Sequence, residues 1–136
     1  MDGQMISSYL KQAQLSANPA LISTELEKLD LHLANTALPD VCWEYQIPEL
    51  GEGGACSLFG YLQDEPFKLT DYIKSDEQTQ FKLANLRSIV SYIEQQTGVD
   101  WYGIYQSTNT PEGKQLLKLA YHGAPSRPLF PLTQAF

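Results

Sequence analysis

Trp101-Tyr102-Gly103-Ile104-Tyr105 is the stretch on which the reading of this chain turns. Side chains alternate across a strand, so Trp101, Gly103 and Tyr105 share one face and Tyr102 and Ile104 the other. The first face then carries two large rings with only backbone between them. A glycine inside a strand weakens it and often marks close approach by a ligand or by another backbone. Two amphipathic rings around such a gap suit a small ligand with an apolar body and a polar end. A helix packing onto Gly103 between two core aromatics satisfies the same pattern. Trp101, Gly103 and Tyr105 are therefore the candidate ligand-binding residues, with core packing as the alternative.

The flanking sequence frames this strand. Upstream, Asp76 can cap a helix over residues 76–96, in which Leu86, Ile89, Val90 and Ile93 form an apolar stripe. Gly98 stands where a left-handed C-terminal cap belongs. Downstream, the strand over residues 99–106 leads into a loop over residues 107–114, marked by Asn109, Pro111 and Gly113. Residues 115–122 form the return strand, with Leu117, Leu119 and Tyr121 on one face. Gly123, Pro125, Pro128 and Pro131 predict a turn-rich exit with no closing strand.

Residues 1–40 predict a helical N-terminal extension, a hairpin of helices over residues 5–38. Asn18 and Pro19 make an N-cap and first-turn pair, since the proline's missing N–H costs nothing there. Ile22, Leu26, Leu29 and Leu33 then line one face, with His32 beside them as a partly exposed residue. Residues 41–75 read as an irregular connector. Val41, Trp43, Tyr45 and Ile47 alternate with more polar residues in a short half-buried strand that Pro48 ends. Gly51-Glu52-Gly53-Gly54 is not a dinucleotide loop, because the third glycine position is Cys56, and no Lys-Ser or Lys-Thr pair follows. These glycines predict a flexible turn. Residues 76–136 complete the division.

Composition narrows the classes of function. The 136 residues suit one domain, and 43% hydrophobic with 18% charged residues is a globular balance. Nine Lys and Arg against sixteen Asp and Glu give a net charge of −7. No basic cluster relieves it, so neither nucleic acid nor an anionic membrane surface is an expected partner. The opening Met1-Asp2-Gly3-Gln4-Met5 lacks a positive region followed by an apolar run, and no stretch approaches bilayer length. A cytoplasmic location is the expectation. Cys42 and Cys56 are then expected as free, small buried thiols, without the Cys-x-x-Cys or His spacing of a zinc site. No metal and no cofactor is expected.

The capped helix, Val99-Asp100-Trp101-Tyr102-Gly103-Ile104-Tyr105, the hairpin, and Leu117-Lys118-Leu119-Ala120-Tyr121-His122-Gly123-Ala124-Pro125 together resemble the first half of a GAF domain. Within that family the segment is most similar to the free methionine-(R)-sulfoxide reductases, which carry an Asn-Trp-x-Gly-Phe-Tyr strand and a later strand ending in Gln-Gly-x-Pro. The resemblance covers residues 81–131. It implies an α+β fold: a partial GAF-like antiparallel sheet with packed helices. It also implies a small-molecule-binding or sensing role in signalling, with Trp101 and Tyr105 as ligand contacts.

The family's redox cysteine aligns with Arg127, and its second cysteine falls beyond Phe136. Reduction of a sulfoxide needs an attacking thiolate and a resolving thiol, so no catalytic residue is assigned. A reductase fragment or inactive relative remains the enzymatic alternative, and a structural or dimerisation module the third reading. A GAF sheet of this branch has five or six strands, and residues 99–136 encode two or three. An unpaired edge recruits another chain, so a second polypeptide or the remainder of the same protein is expected to complete the sheet, in a homo-oligomer.

Overall fold

The computed structural model describes residues 3–16, 18–49 and 61–132. The chain forms two compact units, Met1–Ala37 and Leu38–Phe136. Cys56 and the glycine-rich turn at residues 51–54 lie outside the described residues.

The first unit is a pair of helices, α1 (Gly3–Gln12) and α2 (Pro19–Asn35). Asn18 caps α2 as its sequence requires: its backbone is extended, and its side-chain oxygen accepts the Ala20 N–H at 2.9 Å. The stripe of Ile22, Leu26, Leu29 and Leu33 is half-buried, and α2 holds no fully buried residue. Met5 and Tyr9 of α1, with Leu21 and Leu31 of α2, are exposed.

The second unit is α+β. It starts with a ribbon in which β1 (Glu44–Tyr45) pairs antiparallel with β2 (Phe67–Lys68). The strand expected over residues 41–47 is thus only two residues long, and beyond it lies an isolated bridge at Pro48. Pro48 is bridged to Leu62 between two flanking bonds, Gln63 N–H to the Ile47 carbonyl at 2.9 Å and Glu49 N–H to the Tyr61 carbonyl at 2.8 Å. At such a non-hydrogen-bonded position the ladder asks no N–H of the proline. A 3₁₀ turn, Leu69–Asp71, then buries Leu69 completely.

Helix α3 (Glu77–Thr97) follows. Asp76 Oδ1 accepts the Thr79 N–H at 2.8 Å, and the backbone and side-chain bonds from Thr79 hold the Asp76 carboxyl below the usual carboxylate range. At the other end Gly98 takes the left-handed conformation, φ 65°, and its N–H reaches the Glu94 carbonyl at 2.7 Å. The buried face of α3 is rotated from the expected stripe. Leu83, Ala84, Ser88 and Val90 are buried, while Leu86, Ile89 and Ile93 are half-buried.

Three strands complete the unit: β3 (Tyr102–Thr110), β4 (Gly113–His122) and β5 (Leu129–Pro131), in the order β3-β4-β5 and antiparallel throughout. The hairpin turn is far tighter than the predicted loop over residues 107–114. Thr110 pairs with Gly113, so Pro111 and Glu112 alone form the turn, and the polar run Ser107 to Thr110 belongs to the ladder. The reason is that ladder bonds come from the backbone, whatever the side chains are. The exit expected to be turn-rich and strandless carries β5 instead. It returns along β4, with Leu116 opposite Phe130 and Leu117 opposite Leu129, and the Lys118 N–H donates to the Pro128 carbonyl at 2.9 Å. In this stretch β4 is flanked on both edges by its own chain.

A β-bulge interrupts the β3–β4 ladder. Ile104 faces Ala120 while Tyr105 faces Lys118, which leaves Leu119 as the extra residue. Simple alternation fails there, and residues 117–120 are all buried. The core gathers Leu69, Leu83, Leu117 and Leu119, surrounded by Trp43, Tyr45, Phe67 and Leu86. Among the described residues no helix is long and apolar enough to cross a membrane.

Candidate functional site

The three residues singled out in the sequence are neighbours, but the space between them is not open. A Cβ built on Gly103 would stand 2.5 Å from Cη2 of Trp101. The indole thus lies down over the glycine and fills the expected gap itself, burying its own apolar face where no side chain intervenes. Its Nε1–H donates to the Ala124 carbonyl at 3.1 Å. Its Cδ1 edge lies against Gly123, where a Cβ would come within 2.8 Å. Trp101 remains 38% exposed. Tyr105 stands 6.5 Å from it, centroid to centroid, and 5.7 Å from Phe130, whose ring in turn carries the Arg127 guanidinium 5.0 Å away.

This geometry predicts the outcome of Gly103→Ala. The new methyl meets the far end of a half-exposed side chain, which can swing away, while the strand gains a residue it prefers to glycine. Stability should change by less than about 1 kcal/mol. Tryptophan emission should nevertheless shift to the red as the indole leaves its place. An unchanged spectrum in a folded Gly103→Ala protein would show that the indole does not rest on Gly103.

Lys118 is the residue that sequence reasoning missed. Alternation places it opposite Leu117 and Leu119, and yet it is 0% exposed. Its Nζ donates to the Ser126 carbonyl at 2.9 Å and to Ser126 Oγ at 2.8 Å. The ammonium lies 4.1 Å from the Tyr121 ring centroid and 4.9 Å from that of Tyr45, close enough for a cation–π attraction in a desolvated setting. Tyr45 Oη donates to the Lys118 carbonyl at 2.8 Å. Burial, then the neighbouring Tyr105, Tyr121 and Tyr72, push the Tyr45 phenol far above its ordinary range, so it stays a protonated donor. Only the lone lysine amid apolar residues of a strand was visible beforehand, and that pattern ordinarily describes a solvated face.

Beside this cage a cavity of about 310 Å³ opens between the end of β4, α3 and the start of the ribbon. Tyr121 and His122 come from β4, Leu83 and Arg87 from α3, and Cys42 and Tyr45 from the ribbon. Leu83 and Arg87 are four residues apart on a helix, hence on the same face. Arg87 Nη1 donates to the Asp40 carbonyl, which anchors the guanidinium. Burial, then the nearby Cys42, raise the Tyr121 phenol above its usual range. Cys42 itself is a free thiol and exposed, where the sequence reading expected a small buried residue. The cavity's walls are apolar at Leu83, Leu119 and Ala120 and polar at Arg87, His122 and the two phenols. Small-molecule sites in general combine apolar walls with a few polar groups in this way. Gly123 both lines this cavity and touches Trp101, so the aromatic row and the cavity share one turn. Among the described residues no cluster of three or more His, Cys, Asp or Glu side chains could hold a metal ion.

No family model matches this chain, and neither a curated protein nor a solved structure matches it.

Proposed function

We propose that the Leu38–Phe136 unit is a GAF-like small-molecule-binding module, with the cavity at the end of β4 as the ligand seat and Trp101, Gly103 and Tyr105 as its aromatic flank. The observation that carries this reading is the convergence of Arg87, Tyr121 and His122 on a 310 Å³ cavity with apolar walls, within the range of small-molecule sites. The order of capped helix, aromatic-glycine strand, hairpin and Gly123-Ala124-Pro125 supports the GAF-like part of it. Because Gly123 links the cavity to Trp101, a bound ligand is expected to alter tryptophan emission as well as stability.

A thermal-shift screen tests this. Single-ring acids, amides and amines are added to the wild-type chain and to Cys42→Phe, which places a large ring at an exposed wall of the cavity. A ligand that binds only the folded state at a hundred times its Kd adds about 2.7 kcal/mol, a rise in melting temperature of several degrees. The expected result is at least one such rise in the wild type, absent in Cys42→Phe. No response from any compound, or an equal response in both proteins, would overturn the assignment of the cavity.

A further inference from the structure

We infer that this cavity selects small anions, of the class of a single-ring or branched apolar carboxylate, with Arg87 as the residue that recognises the carboxylate. The inference rests on the binding reading above and names its ligand class. Three observations carry it. First, the charge on the cavity wall opposes the charge of the chain. Across 136 residues acids outnumber bases by sixteen to nine, yet the residues lining the cavity include Arg87 and His122 and neither Asp nor Glu. A wall drawn without regard to function from so acidic a chain would carry a carboxylate more readily than a lone guanidinium.

Second, Arg87 is placed to receive an anion. Its position one helical turn after Leu83 turns it to the same side of α3, and its bond to the Asp40 carbonyl fixes the guanidinium by one of five N–H groups. Fixing one donor lowers the entropy lost when the others engage a carboxylate in paired, charge-assisted bonds. His122 and Tyr121 line the same cavity as further polar residues, while the Tyr45 hydroxyl is already committed to the Lys118 carbonyl.

Third, the apolar remainder and the size set the body of the ligand. Leu83, Leu119 and Ala120 offer a hydrocarbon wall, and 310 Å³ accommodates one ring or a branched chain with its carboxylate. The low-dielectric wall also strengthens the single cationic contact relative to water, whereas the net charge of −7 acts from a distance and is screened by salt beyond about 8 Å at physiological ionic strength.

Benzoate, its neutral amide benzamide and the cationic benzylamine share one ring and differ in charge. Their binding to the full chain is measured by calorimetry, with the wild type, Arg87→Gln, Arg87→Lys and Cys42→Phe, and with unliganded melting curves for all four. The expected order is benzoate tightest and benzylamine weakest, the reverse of what the overall charge favours. Arg87→Gln should weaken benzoate by roughly tenfold to a hundredfold, the worth of a hydrogen bond to a charged group, and leave benzamide unchanged. Arg87→Lys should retain part of the benzoate affinity, and it serves as the folded comparison should Arg87→Gln melt early. Benzylamine binding as tightly as benzoate, or benzoate binding undiminished in Arg87→Gln, would overturn the anion selection. Benzamide bound in the wild type and lost in Cys42→Phe would in that case leave the cavity itself standing as a ligand seat. If none of the three binds, the anion selection falls, and the wider thermal-shift screen decides the cavity by itself.

Discussion

Gly123→Ala is expected to lower the stability of the Leu38–Phe136 unit by about 3 kcal/mol or more. Two costs coincide at this position. Gly123 has φ 111°, a backbone conformation that side-chain-bearing residues rarely adopt, and strain of that kind costs roughly 1–3 kcal/mol. A Cβ there would also stand 2.5 Å from the Asp100 backbone oxygen. Unlike the tip of Trp101 over Gly103, a backbone oxygen cannot swing aside, so the turn between β4 and its exit must move, at a further cost of roughly 1–3 kcal/mol. With ~4–8 °C per kcal/mol for a domain of this size, the melting temperature should fall by more than about 10 °C. Gly98 supplies the control. It too has positive φ, at 65°, but nothing lies within 4 Å of its missing Cβ, so Gly98→Ala should cost only ~1 kcal/mol. Equal losses in the two variants, read as urea midpoints at constant slope, would show that the contact with Asp100 is not what makes Gly123 necessary.

Lys118→Ala is expected to cost about 3–5 kcal/mol. The loss has two parts, which a second substitution separates. Truncation removes a fully buried aliphatic stem and leaves a void among Tyr45, Tyr121 and the sheet, with the ~2–5 kcal/mol typical of long core side chains cut to alanine. It also strips the Ser126 carbonyl and hydroxyl of their donor. Lys118→Met keeps most of the stem and loses only the ammonium, so it should cost about 1–2 kcal/mol. Since Ser126 belongs to the segment that carries Ala124, the acceptor of the Trp101 indole, both variants should shift tryptophan emission. Lys118→Ala within about 1 kcal/mol of wild type in equilibrium unfolding would mean that the lysine does not hold this segment in place.

Much of the fold was legible because its signals are local. Asp76 and Gly98 bound α3 at the places their chemistry dictates, one accepting an orphan N–H and the other adopting a left-handed backbone. Asn18 and Pro19 begin α2 for the same kind of reason. The two long strands could be located from the aromatic-glycine run and from Leu117, Leu119 and Tyr121, whereas the class α+β came with the family resemblance. Within the candidate site, a period of two grouped Trp101, Gly103 and Tyr105, but it left open the gap that the indole itself fills. In each of these cases the determining energy lies between residues a few positions apart.

The tertiary structure decided the rest, because those features depend on partners distant in sequence. Ser107 to Thr110 read as a loop from their side chains, and only pairing with residues 113–116 makes them strand. The exit became β5 because β4 had an open edge to satisfy, a demand that Pro128 and Pro131 do not reveal. One extra residue at Leu119 cancelled the alternation that would have left Lys118 in water. Cys42, Arg87 and His122 meet at one cavity although the chain separates each from the next by tens of residues. Caps, turns and periodicity are written residue by residue, whereas burial and a binding cavity exist only once separate segments have packed against one another.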